Sequence, residues 1–377
     1  MSILSPVRRS LAVLAVAAGG LALAVPASAG ASPAYRNDHN GLGTQQVNLV
    51  SDVPGQAPLV DPDLVNPWGL ALGTTSPLWV ANAGSDTSTL YSSAPGATAA
   101  AKVAAVRVTF PSKPTLPTGQ VANNGTNFAL TTAKGTGPAK FIFSTITGQI
   151  EAWSPAADPL QGDAETKAVV PGASYTGLAL ATAKAGDQLY AANFGQNRVD
   201  VFDTSFKQVK TSFFAFKDFF LPQGFAPFNV QQLNGNIFVT YAKPDPKTHE
   251  ARGKGLGFVD EFTPDGRFVT RIASRGDLNA PWGLAIAPAS WGKLAGSLLV
   301  GNFGDGKVNV ISPDRYGHFD SRISGQLTDS TTGKAISIPG LWALLPGTAT
   351  AGGTDSIWFS AGISDETHGL LGVLRHP

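Results

Sequence analysis

Cysteine is absent from all 377 residues, which excludes disulfides, thiolate nucleophiles and Cys-ligated metals together. Charge is scarce as well. Only 14% of residues are Asp, Glu, Lys or Arg, and 27 basic residues against 26 acidic ones leave a formal net charge of +1. No Lys/Arg run breaks that balance, so nucleic acid is not an expected partner, because phosphate neutralisation needs clustered positive charge. A Gly-x-Ser-x-Gly elbow, a phosphate loop and a dinucleotide fingerprint in a strand-to-helix setting are also missing, which withdraws support from elbow hydrolases and nucleotide enzymes. Gly (43) and Pro (27) are abundant. They describe many short strands joined by tight turns rather than long amphipathic helices.

One long apolar run exists, at the N-terminus. Arg8 and Arg9 precede Leu11–Val25, and Ala27-Ser28-Ala29 stands before Gly30, the layout of a secretory signal with an A-x-A cleavage site. Gly19-Gly20 interrupts the run and Pro26 ends it, which argues against a retained membrane anchor. Residues 1–29 are expected to be a signal peptide, so the mature chain is secreted and has no transmembrane segment. Arg8-Arg9 leaves twin-arginine and general export both open. Residues 30–41, polar and Gly-containing, read as a flexible stalk.

The remainder, 42–377, repeats itself. Asn66-Pro67-Trp68-Gly69-Leu70-Ala71-Leu72 returns as Asn279-Ala280-Pro281-Trp282-Gly283-Leu284-Ala285-Ile286, with Thr176-Gly177-Leu178-Ala179-Leu180 as a plainer copy. Aligning six copies on Leu70, Phe128, Leu178, Val230, Leu284 and Trp342 gives a period of about 54 residues, near the length of a propeller blade. A second run follows each motif, as in Leu78–Asn82, Phe141–Ser144 and Leu298–Asn302. Its continuous apolarity marks a strand buried on both faces. Third strands alternate more cleanly. Fourth strands are expected at Ala105–Phe110, Thr166–Val170, Val209–Phe216, Arg267–Ile272 and Phe319–Ile323, and the sixth repeat lacks one. Gln45–Val50 can supply it by pairing beside Gly369–Leu374, which closes the ring and hides an edge. The expected fold is all-β, a six-bladed β-propeller of four-stranded blades.

At Asn66–Leu72, Ala81–Gly84, Ala192–Gly195, Asn279–Ile286 and Gly301–Gly304 the chain resembles a family of secreted, largely uncharacterised bacterial six-bladed propellers related to the NHL-repeat class. The resemblance spans nearly the whole expected mature length. It implies a range of activities, among them binding platforms, calcium-dependent lactonases and lyases, and it assigns no catalytic residue.

Loops leading into the inner strands carry Asn66, Asn123, Asn124, Asn127, Tyr175, Asn229 and Asn279. These polar groups suit a polar ligand, or a cation held by neutral oxygens; equally, Asn near a strand start braces its own turn. Trp68, Trp282 and Trp342 either pack between blades or line the channel for a sugar or aromatic ligand. Asn82, Asn193 and Asn302 recur at one blade position and read as a shared turn. Two loops depart from the repeat, Lys243–Arg252 and Gly362–His368, and each sets acids beside a Thr-His pair. If both reach one mouth, His249, Glu250, Asp365, Glu366 and His368 can ligate a divalent cation such as calcium, or act as general acid and base. Exposed insertions also attract charge with no such role. The leading expectation is a monomeric binding or scaffold module holding a protein, glycan or small molecule at the channel mouth. A calcium-dependent hydrolase or lyase of the lactonase-like kind is the alternative.

Overall fold

The computed structural model describes residues 42–157, 161–319 and 322–377. The signal-peptide and stalk expectations for 1–29 and 30–41 lie outside the described residues. Six inner strands stand around one axis: Pro67–Leu72, Pro117–Ala122, Tyr175–Ala183, Ala226–Leu233, Pro281–Ile286 and Leu341–Pro346. Each neighbours the next, and the sixth returns to the first. From each inner strand an antiparallel meander runs outward, giving blades such as Pro117–Ala122, Phe141–Thr145, Gln149–Trp153 and Glu165–Val169.

The recurring motif has a backbone cause. In every blade the pairing between first and second strands slips near the start of the inner strand, between Pro67 and Leu70, Tyr175 and Gly177, Pro281 and Gly283 and their equivalents. Such a bulge bends the strand toward the axis. There the neighbouring inner strand comes so close that a Cβ at Gly119 would overlap the backbone of Gly177–Leu178, and one at Gly69 that of Thr118. Glycine is required where two backbones meet.

The apolar runs of the second strands are buried, Leu78–Asn82 and Leu298–Asn302 along their whole length, as their unbroken apolarity demands. The chain closes as expected: Gly43–Ser51 pairs antiparallel with Leu370–Arg375 and becomes the outermost main strand of the sixth blade. Ser51 Oγ donates to the Gly369 carbonyl at 2.7 Å, and Asp52 accepts from the Gly369 amide at 2.8 Å.

Three expectations need correction. The second repeat's inner strand is Pro117–Ala122, so Phe128 is not its equivalent of Leu70; it precedes an inserted hairpin, Ala129–Thr132 with Gly135–Pro138, whose apolar residues imitate the motif. The fourth strand of blade 3 is only Gln208–Val209, because Ser212 and Asp218 begin turns instead of extending it. Blade 5 uses Gly325–Gln326 rather than Phe319–Ile323.

Candidate functional site

Channel mouth above an aromatic floor

The inner strands of blades 1, 5 and 6 each send an indole to the axis. Trp68 and Trp342 stack with ring centroids 3.5 Å apart, and Trp282 stands edge-on to both, at 6.2 and 5.9 Å. Phe303 stacks on Trp342 at 3.9 Å, Phe228 lies 5.9 Å from Trp342, and Phe194 lies 5.0 Å from Phe228. All six rings are buried. Trp282 Nε1 donates to the Thr176 carbonyl at 2.8 Å and Trp342 Nε1 to Asn66 Oδ1 at 3.1 Å. Together they floor the channel at the end where the loops enter, packed against one another.

Over this floor lie the two loops that depart from the repeat. In blade 4, Pro244–Asp245 pairs with His249–Glu250 as a small hairpin; in blade 6, Ile363–Glu366 makes a single tight turn with left-handed backbone at Ser364, Asp365 and Glu366. They meet through a residue that sequence reasoning passed over. Arg252 lays its guanidinium 4.5 Å above the Phe303 ring and reaches Glu366 at 3.4 Å, Asp365 at 3.5 Å and Glu250 at 3.7 Å. One cation thus faces three carboxylates from blades two apart. Glu366 Oε2 also accepts from Asn66 Nδ2 at 3.1 Å. Burial, and then the charge of Glu250, push the Glu366 carboxyl above its ordinary range; Asn66, Arg252 and His249 oppose that shift. Glu250 is 1% exposed, and its Oε1, with Arg252 Nε at 3.7 Å, has no donor within hydrogen-bond distance. Non-glycine residues here sit at positive φ, among them Asn66 (45°), His249 (70°), Asp365 (51°) and Glu366 (65°). Such strain persists where surrounding structure holds it, commonly at functional sites.

The five acid and histidine residues read as metal ligands do not converge on one point. Glu250, Asp365 and Glu366 gather on Arg252. His249 turns the other way, with Nδ1 3.2 Å from Glu250 Oε2 and Nε2 3.4 Å from Ser174 Oγ. His368 pins the closing strand through Asp52, Nδ1 to Oδ2 at 2.7 Å. Among the described residues no group of three or more His, Asp or Glu side chains is arranged to hold a metal ion, and a guanidinium already stands between the carboxylates. The set as placed does not fit a divalent cation.

The polar candidates divide similarly. Asn123, Asn124 and Asn127 follow their inner strand instead of preceding it and so lie at the opposite end of the channel, where Asn124 Oδ1 accepts from the Thr74 amide at 3.2 Å. Tyr175 is buried and donates to Asp200 at 2.9 Å; Asn229 bridges to the Trp282 carbonyl at 2.8 Å; Asn279 accepts from the Gly253 amide at 2.6 Å. All three brace neighbouring segments. Asn82, Asn193 and Asn302 do the same within their turns, with no exposed surface.

A cleft opens beside the hairpin, between blades 3 and 4, with a volume of about 530 Å³. Phe194, Phe225, Pro244 and Pro246 give it apolar walls, and Ser174 and His249 give it polar atoms.

No family model matches the chain. Two uncharacterised proteins of Acanthamoeba polyphaga mimivirus align with it over 340 residues each. One is 32% identical, covering 88% of this chain and 80% of its own length; the other is 31% identical, covering 88% and 86%. The relatives found are viral, where the motif resemblance pointed to bacterial secreted proteins. Among solved structures, a streptogramin B lyase is similar over 89% of this chain and 97% of its own, at 12% identity and a TM-score of 0.49. A protein described as a putative gluconolactonase is similar over 70% and 83%, at 19% identity and a TM-score of 0.42.

Proposed function

The chain belongs to the family of these two mimivirus proteins, and from its own channel mouth we propose that it is a binding module for a small ligand rich in hydroxyl or ammonium donors, such as a glycan terminus. The observation that carries this reading is the state of Glu250. Its Oε1 faces Arg252 Nε across 3.7 Å, beyond hydrogen-bond distance; a carboxylate oxygen taken out of water without a close donor costs free energy on the order of 1–3 kcal/mol or more, and a bound hydroxyl or ammonium hydrogen would recover it. Three carboxylates against one guanidinium leave acceptor capacity to spare, and the adjoining cleft supplies apolar walls for the less polar face of such a ligand. Export of the mature chain belongs to the same proposal and is checked by sequencing the N-terminus of the protein made in its own cells, which should begin at Gly30.

The test is thermal melting and calorimetry with a panel of neutral sugars, amino sugars and polyamines. A ligand that binds the native state at 100 times its Kd stabilises it by about 2.7 kcal/mol. Glu250→Gln should keep the fold and lose the shift. A parent and a variant that respond alike would place the ligand elsewhere, and no response to any member of the panel would remove the proposal.

A second reading draws on Ser174, His249 and Glu250, which stand in the order nucleophile, base and orienting acid. In that reading Ser174 Oγ adds to an ester carbonyl, His249 passes the serine proton to the departing alkoxide, and water repeats the step to free the acid. Ester turnover lost in Ser174→Ala but retained in Arg252→Lys would favour it over binding alone.

A further inference from the structure

Far from the mouth, the segment joining blades 3 and 4 displays phenylalanine to solvent. Phe213, Phe214, Phe219 and Phe220 are 76, 67, 63 and 87% exposed. Three of these rings touch: Phe213 and Phe214 are 5.5 Å apart, Phe214 and Phe219 5.9 Å, and Phe213 and Phe219 6.4 Å. Exposed apolar clusters of this kind mark interaction sites.

The display is built. Phe216, in the middle of the segment, is buried against Tyr190 and Phe262, and its amide donates to the Gly266 carbonyl at 2.8 Å. Asp218 is held by Arg271, which also binds Asp260. Ser212 Oγ accepts from the Phe214 amide at 3.1 Å and Asp218 Oδ1 from the Phe220 amide at 2.8 Å, so each polar residue sets a turn that aims rings outward. The inward-facing residues hold the loop, and among the described residues the outward-facing rings meet one another and the rim of a cleft of about 370 Å³.

Cations surround the rings. Lys217 and Arg267 line that cleft with Phe214, Phe219 and Phe220, and Lys210 lines a second one with Phe213. None of the three has an ion-pair partner among the described residues. Of the carboxylates on the same clefts, Asp218 is taken by Arg271, Asp200 by Arg198, and Asp265 lies 3.9 Å from Lys184. In a chain of formal net charge +1, this is a local positive excess around a convex apolar knob.

We propose that the knob docks the propeller on an anionic membrane surface, with the phenylalanines entering the headgroup boundary and Lys210, Lys217 and Arg267 meeting lipid phosphates. Apolar area together with attraction to anionic lipid is the combination that interfacial binding requires. The outward charged side chains of the knob are cations, Lys210 and Lys217, which match the charge of lipid phosphates. Its geometry also agrees with use of the mouth: the turn at Gly266 on which Phe216 rests joins the third and fourth strands of blade 4, at the end of the blade opposite the His249–Glu250 hairpin. A propeller docked there presents its mouth to the solution. No helix among the described residues is long and apolar enough to cross a membrane, so attachment would be to the surface.

The test is co-sedimentation of the full chain with vesicles of phosphatidylcholine alone, and with about one third phosphatidylglycerol, at low and high salt. We expect at least tenfold more protein on the anionic vesicles and release as salt rises. Phe213→Ser with Phe219→Ser and Phe220→Ser should abolish binding, and Lys210→Glu with Lys217→Glu should reduce it about tenfold; all five positions are on the surface, and unchanged melting would show that the variants fold. Glu250→Gln should bind vesicles like the parent, which separates this proposal from the mouth reading. Equal binding to both vesicles would overturn the anionic assignment. No binding to either would overturn docking on lipid, as would a dimer in sedimentation velocity that the phenylalanine variant dissolves.

Discussion

Glu366→Gln keeps the size of the side chain and its acceptor toward Asn66 while removing a charge that the mouth tolerates poorly. The folded-state carboxyl titrates above its ordinary value near 4.5. An acid raised in this way contributes stability that is complete below the unfolded value and is lost as pH climbs through the folded one. Melting temperature in the parent is therefore expected to fall as pH rises from about 4.5, with a shallower fall in the Gln variant; identical slopes would show that Arg252 fully compensates the charge. Glu151 offers a simpler case. It is buried in the third strand of blade 2 with only Thr166 bonding one oxygen, and burial pushes it up to about 7. The parent should lose on the order of 3 kcal/mol between its ordinary value and neutrality, and Glu151→Gln should abolish that loss in urea titrations at successive pH values. At this scale the sequence was half legible. Glu250, Asp365 and Glu366 stood out because their loops break the repeat. Arg252 did not, since a cation beside acids reads as ordinary surface balance until folding carries it over Phe303.

Strands were more legible than turns. Unbroken apolar runs marked the second strands because a strand covered on both faces admits a polar side chain only where it finds a partner, as Asn82, Asn193 and Asn302 do at the strand ends. Val209–Phe216 misled for the converse reason: its phenylalanines have strand-like propensity, but the hydroxyl of Ser212 and the carboxylate of Asp218 capture backbone amides and turn the chain. The slip at Phe128 arose because an inserted hairpin brings its own apolar residues. Inner strands are governed by close approach, so Gly119→Ala is expected to cost about 1–3 kcal/mol by overpacking. Chemical denaturation would reveal it, and a variant as stable as the parent would mean that the inner strands can separate without penalty.

The whole ring was readable from a count, six repeats with one strand too few at the C-terminus and one unassigned at the N-terminus. What occupies the mouth was not readable, because the site draws on blades 1, 3, 4, 5 and 6 and exists only once they are assembled. Removing Gly43–Ser51 should expose the edge of Leu370–Arg375 and release His368 from Asp52. The expected result is a chain that self-associates or aggregates, checked by sedimentation velocity; a stable monomer would mean that the ring closes without its last strand. That strand leaves the ribosome long before its partner, which lies at the other end of the propeller in sequence. The loop bearing Glu366 lies just before that partner, so the mouth takes shape only when synthesis has passed residue 375. A growing chain that has not yet reached Arg375 therefore carries the loops of the mouth without the ring that holds them together.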